Sequence, residues 1–153
     1  MRFPVFIRSE SDHTGSDTPL LHSPAELDAT IERLVAAGKN RDDKIVVEFC
    51  DTADTEGIYQ RYGAHVVGSR IFGSNLFFDS HWVVKQPNEA ATTPARAAAE
   101  RRYVATNPHE AALGRICQLT RIDYGRIDYA VVNGKIQVFE INTNPTAPSG
   151  RTF

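Results

Sequence analysis

Two periods organise the apolar positions of this chain. In residues 24–38, Leu27, Ile31, Leu34 and Val35 recur every three or four positions, the spacing of one helical face. Ser23-Pro24-Ala25-Glu26 ahead of them is a capping box with proline at the first helical position, and Gly38 supplies the stop. Thr93-Pro94 opens a second helix to about Ala105. Asn107-Pro108 with Glu110 repeats that signal for a third, to about Thr120. The other apolar runs are short and rich in branched and aromatic residues: 3–8 (FPVFIR), 44–50 (KIVVEFC), 64–72, 81–85 (HWVVK), 126–132 (RIDYAVV) and 135–141 (KIQVFEI). These predict strands, with Pro4 at a strand start or edge. Asn133-Gly134 between the last two marks a hairpin. Residues 9–22, 51–57 and 86–93 are polar and read as loops. The order strand, helix, strands, two helices, hairpin predicts an α+β fold rather than a regular βαβ alternation.

Composition narrows the class. A chain of 153 residues, 41% hydrophobic and 24% charged, is one globular domain or two small lobes sharing a cleft. Seventeen basic residues against nineteen acidic ones leave a net charge of −2, with no excess to neutralise a phosphate backbone, so nucleic acid is not an expected partner. No apolar run reaches the roughly 18 residues of a membrane span. The N-terminal patch is broken by Pro4 and ended by Arg8, too short for a signal peptide. The expectation is a cytoplasmic protein with no membrane partner. Cys50 and Cys117 match no zinc or CxxC spacing and read as reduced, buried thiols.

The segment 121–146 (RIDYGRIDYAVVNGKIQVFEINTNPT) carries the chemistry. Glu140 and Asn142 are two apart on a strand and share a face. With Asp128 they make three oxygen donors of the kind that suits Mg²⁺, a cation that keeps several waters and usually takes substrate phosphates too. Carboxylates amid Ile127, Val138, Phe139 and Ile141 need partners, because an unpaired buried charge is costly. Arg126, two before Asp128, shares its face and could hold a phosphate. Parity imposes a condition. A two-residue turn at Asn133-Gly134 sets Val132 opposite Lys135 and Asp128 opposite Phe139, facing away from Glu140. A three-residue loop with Gly134 left-handed in a G1 bulge sets Asp128 opposite Val138 and brings the three donors to one face. The bulged loop is therefore predicted. On spacing alone, the same residues equally suit a solvated polar face.

The acid Asp128, twelve residues before Glu140, followed by Glu140-Ile141-Asn142-Thr143-Asn144-Pro145, resembles the metal-binding hairpin of the ATP-grasp superfamily. Other segments are similar at the level of pattern, and the likeness is to a RimK- and glutathione-synthetase-like nucleotide-binding core. FPVFIR resembles the strand that brings a basic residue, here Arg8, to the nucleotide phosphates, with 9–20 as the phosphate-covering loop. KIVVEFCD (44–51) resembles the hinge strand where backbone groups meet the adenine edge. This implies Glu48 and Phe49 as nucleotide-binding positions. GIYQRYGAHVVGSRIF (57–72) resembles the following strands; Arg61 and Tyr62 are present, but Gly63 stands where a second basic residue is common. HWVVK ends on Lys85, a further candidate for the nucleotide, and Trp82 reads as core.

The resemblance implies two small α+β lobes, about 1–48 and 49–153 with the hairpin at 126–142, gripping MgATP between antiparallel sheets. The usual N-terminal companion domain is absent from this reading. Asp128, Glu140 and Asn142 would bind Mg²⁺, Arg126 and Arg61 would act on the transferring group, and Arg8, Glu48, Phe49 and Lys85 would bind ATP. The implied activity is a ligase joining a carboxylate to an amine or thiol through an acyl phosphate, with a partner domain or homo-oligomer possible. The alternative is a catalytically weak nucleotide-binding regulatory module, or part of a larger ligase. His13 is a loop histidine within reach of phosphate or surface water. Arg101 and Arg102 read as a solvated helix face, and Asn107 as a helix cap.

Overall fold

A computed structural model describes residues 1–10 and 15–145; His13 lies outside the described residues. The elements are β1 (Val5–Ser9), α1 (Pro24–Ala36), β2 (Lys44–Glu48), β3 (Tyr59–Val67), β4 (Arg70–Asp79), α2 (Pro94–Thr106), α3 (Glu110–Thr120), β5 (Tyr124–Val132) and β6 (Lys135–Asn142), with short 3-10 turns at Arg41–Asp43 and Glu89–Ala91. They fall into two compact units, Met1–Asp51 and Thr52–Phe153.

In the first unit β1 and β2 form a two-stranded antiparallel sheet. Val5, Ile7, Leu21 and Leu27 are its buried centre, with Phe3, Ile31 and Leu34 packed against them. The helix α1 starts as its capping box predicts: Ser23 Oγ accepts from Glu26 N–H at 3.2 Å, and the Glu26 carboxylate accepts from His22 N–H at 2.9 Å. Gly38 follows its end at φ +78°, a left-handed position that glycine fills at little cost. Leu21 is more than a loop residue, because it pairs with Val5 in an isolated bridge.

The second unit is a four-stranded antiparallel sheet in the order β4-β3-β5-β6. One face is apolar: Ala64, Val66, Ile71, Leu76, Ile127 and Tyr129 pack with Tyr103 of α2 and with Leu113 and Cys117 of α3. Three expectations fail here, each for a local reason. Residues 64–72 are not one strand: Gly68 at φ +59° makes a turn, Val67 pairs with Arg70, and β3 and β4 form a hairpin. Residues 81–85 form no strand; Trp82 is half-buried and its ring stacks on His81 at 5.6 Å. Asn107 caps α2 at its C-terminal end, at φ 32°, whereas His109 stands at the N-cap of α3. Its amide reaches back to donate to Ile71 C=O at 3.1 Å. Cys117 is buried and Cys50 only half-buried, and both are free thiols.

The last hairpin differs most instructively. Val132 pairs with Lys135, so the connection is the tight two-residue turn, with Asn133 at φ 51° and Gly134 at φ 74°. Both central residues have positive φ, the mark of a type I′ turn. The predicted three-residue loop is wrong. The parity correction occurs further along: Tyr129 pairs with Val138 but Asp128 pairs with Glu140, leaving Phe139 as the extra residue of a bulge. Phe139 is exposed there, and the strand beyond it changes face by one residue. Among the described residues, no helix is long and apolar enough to cross a membrane.

Candidate functional site

The face of the second sheet away from α2 and α3 is polar, and its content follows from cross-strand registry. Asp128 on β5 has Gly63 beside it on β3 and Glu140 on β6; Arg126 has His65 and Asn142. Residues directly opposite share a face, with Cβ atoms roughly 4.5–5.5 Å apart. Asp128, Glu140 and Asn142 therefore stand together with Arg126 on one surface, a placement made by the bulge at Phe139.

Asp128 is the centre of the cluster and is buried, at 4% exposure. Arg126 Nε donates to its Oδ1 at 2.9 Å and Arg126 Nη2 to its Oδ2 at 2.9 Å, a bidentate grip. Arg61 Nη1 donates to Oδ2 from the other side at 2.6 Å, and Arg61 Nη2 donates to Lys85 C=O at 2.7 Å. The guanidinium of Arg61 also lies 5.2 Å from the Phe77 ring centroid. Burial lowers the pKa of Arg61, while the charge of Asp128 opposes that shift. Two guanidiniums thus face two carboxylates on one sheet surface. Arg61 Nε is buried with no hydrogen-bond partner, an unspent donor in this cluster.

Gly63 explains itself. A Cβ there would sit 2.8 Å from Asn75 Nδ2 and 2.9 Å from Ser74 Oγ, so any larger residue requires those two side chains to move. Behind it runs a buried relay. Tyr103 Oη donates to Gly63 C=O at 2.9 Å, an acceptor that cannot donate in return. Tyr103 must then accept from Tyr129 Oη at 3.0 Å, and Tyr129 accepts from His109 Nδ1–H at 2.9 Å. Tyr62 stacks on Tyr129 at 5.3 Å and closes the group. Burial raises the pKa of Tyr103 and Tyr129, so both stay protonated donors.

Of the other candidates, one lies in the second unit and three in the first. Lys85 reaches the cluster through its carbonyl; its side chain is exposed. Arg8, Glu48 and Phe49 belong to the first unit. Arg8 is half-buried opposite Ile45. Glu48 is held by Arg2, whose N–H reaches Oε1 at 2.8 Å, and this hydrogen bond lowers its pKa. Phe49 N–H donates to Pro4 C=O at 3.0 Å. Arg101 and Arg102 are solvent-exposed, as predicted.

His65 and Asn75 belong to the polar face and were not singled out from sequence. Strict alternation in Arg61, Gly63, His65 against Tyr62, Ala64, Val66 is the signal that marks them. His65 stacks on Phe72 at 5.8 Å. Its pKa is lowered by burial and then by Arg126, against the pull of Asp128; burial likewise lowers that of His109. A lowered histidine pKa means the unfolded chain takes up the proton first as pH falls. Stability should therefore rise with pH through the interval below about 6.5. Denaturant melts at pH 5.5 and 7.5 should show the acid-side loss, and His65→Gln with His109→Gln should flatten it. An unchanged slope would assign the loss to other groups.

The donor chemistry of Asp128, Glu140 and Asn142, all hard oxygens, fits Mg²⁺. Asn142 Oδ1 accepts from Asn144 N–H at 2.8 Å and keeps a second lone pair. No family model matches the chain, and no curated protein matches it. Solved structures do. The D-alanine–D-alanine ligase from Bacillus anthracis superposes with a TM-score of 0.52 at 18% identity, over 94% of this chain and 44% of that one. Its complex with ATP gives 0.48 at 16% identity, over 92% and 39%. An L-amino acid ligase from Bacillus licheniformis gives 0.46 at 10%, over 94% and 32%. The chain thus spans less than half the length of each of these enzymes. What the first of these establishes is architecture: an α+β chain with antiparallel sheets that shares the ATP-grasp fold.

Proposed function

We propose that the polar face of the second sheet binds MgATP and serves an ATP-dependent carboxylate–amine or carboxylate–thiol ligase of RimK- and glutathione-synthetase-like type. The observation that carries this reading is the cross-strand row Gly63–Asp128–Glu140, with Arg61 and Arg126 both clamped on Asp128. Asp128, Glu140 and Asn142 would hold the metal. When bound, Mg²⁺ would neutralise phosphate charge and polarise the transferring group. The arginines are balanced by Asp128 in the free chain. An incoming triphosphate offers them a second anion of higher charge, and the carboxylate they release is then a ligand for the cation. Charge exchange of this kind keeps the cluster near neutral before and after loading, avoiding the cost of a lone buried charge. Arg126 and Arg61 would steady the γ-phosphoryl as an acyl phosphate forms, chemistry carried by positioning and electrostatics. Arg8, Glu48, Phe49 and Lys85 are assigned to the rest of the nucleotide, and 1–48 and 49–153 to the two gripping lobes.

Calorimetric titration with a non-hydrolysable ATP analogue tests the site. Binding should require Mg²⁺, and Asn142→Ala should weaken it by about tenfold, roughly the loss of one ligand's 1.4 kcal/mol. Metal-independent binding would remove the three donors from the role. Phosphate release only on adding a carboxylate and an amine identifies the ligase. Gly63, standing where a second basic residue is common, favours the alternative of a nucleotide-binding regulatory module, for which tight binding without turnover is the expected result.

A further inference from the structure

We propose that a second copy of this chain pairs with the free edge of β2, forming one continuous antiparallel sheet across a two-fold axis at Val46. The alternation of the β1–β2 ladder sets which groups are available. Phe49 N–H donates to Pro4 C=O and Glu10 N–H to Asp43 C=O, so the odd-numbered residues 43–49 bond to β1. The backbone groups of Lys44, Val46 and Glu48 therefore point to the opposite side, where among the described residues the sheet has no further strand. Lys44 N–H closes the preceding 3-10 turn, leaving Lys44 C=O, both groups of Val46, and Glu48 N–H.

These groups are complementary to themselves. An antiparallel copy centred on Val46 places Val46 opposite its own counterpart, Ile45 opposite Val47, and Lys44 opposite Glu48. Each Val46 then exchanges two backbone hydrogen bonds with the other. Each Glu48 N–H meets a Lys44 C=O, and opposite charges stand at both ends of the pairing. No proline or bulge interrupts Lys44–Glu48, the usual devices that keep an edge solitary. The strand is also apolar where it should be wet: Ile45 and Val46 are each 39% exposed, and Val35 on the neighbouring helix 48%. Beside Val46 lies a cavity of about 200 Å³ lined by Ile7, Ile31, Leu34 and Val35, with Lys39 and Arg41 at its rim. The second copy's valine closes the apolar floor. An isologous contact of this kind is closed and does not propagate into fibres.

Analytical ultracentrifugation of the full chain over a wide concentration range tests the proposal. Expected is a species of twice the 17.0 kDa chain mass that dissociates on dilution. Val46→Pro removes an outward N–H without touching the β1 ladder, and should leave the chain folded by circular dichroism and monomeric. Val46→Lys, which keeps the backbone unaltered, should do the same. In a Cys50→Ser background, Val46→Cys should form a symmetric disulfide, since directly opposed residues lie about 5.5 Å apart. A chain monomeric at every concentration overturns the proposal, and so does a dimer that both Val46 variants leave intact. Protection of Val46 N–H from exchange in a monomer would mean other material covers the edge, and also overturns it.

Discussion

Asp128→Ala should lower the stability of the second unit by about 3–5 kcal/mol and abolish Mg²⁺-dependent binding of an ATP analogue. The loss exceeds that of one hydrogen bond because two guanidiniums share this carboxylate. The side chains of Asp128, Arg61 and Arg126 are 6%, 16% and 28% exposed, so water cannot replace the partner at little cost. Removing the acid leaves two guanidiniums on one sheet face with Glu140 as the remaining carboxylate. Asp128→Asn keeps the volume and one acceptor, and should cost less stability while still losing metal dependence. Urea denaturation and calorimetry on the same samples separate the two effects. A stable Asp128→Ala variant would mean that the clamp contributes little, and intact Mg²⁺-dependent binding would place the metal elsewhere.

Leu113→Ala should destabilise the second unit by about 2–5 kcal/mol through a cavity between α3 and the sheet. Leu113 is fully buried in the cluster formed by Ile71, Ile127, Tyr129 and Cys117. That apolar face also fixes the strand on which Asp128 sits, because Ile127 and Tyr129 flank it and point the other way. Exchange of the β5 amides should accelerate in the variant, and nucleotide binding should fall with the folded fraction. A change below about 1 kcal/mol would show that the helix collapses to fill the space.

Local signals carried much of the architecture. Two helices announce themselves by proline at the first turn behind a hydroxyl cap, and α1 and α2 begin where those signals place them, whereas Pro108 falls ahead of the α3 cap at His109. Gly68 was a turn residue hidden in a run that reads as one strand. The segment 81–85 looked like a strand because valines and tryptophan favour sheets, yet among the described residues it joins no sheet. Asn107 was legible as a cap, but which helix it serves depends on Ile71, thirty-six residues away.

By itself the sequence determined the α+β class, the starts of α1 and α2, the place of the last hairpin at Asn133-Gly134 though not its turn type, and the chemical kinds of the polar groups: hard oxygen donors and arginines on a strand pair. These depend on neighbours a few residues apart, where sterics and capping decide. Only the tertiary structure decided that the bulge falls at Phe139 rather than in the loop, which sets Asp128 opposite Glu140 instead of on the far face. It also decided that Arg61 meets Asp128 across sixty-seven residues, and that Gly63 lies opposite Asn75. The physical reason is that a strand's facing alternates every residue. A one-residue shift costs little locally, but decides which side chains meet, and only packing of the whole apolar face against α2 and α3 selects it.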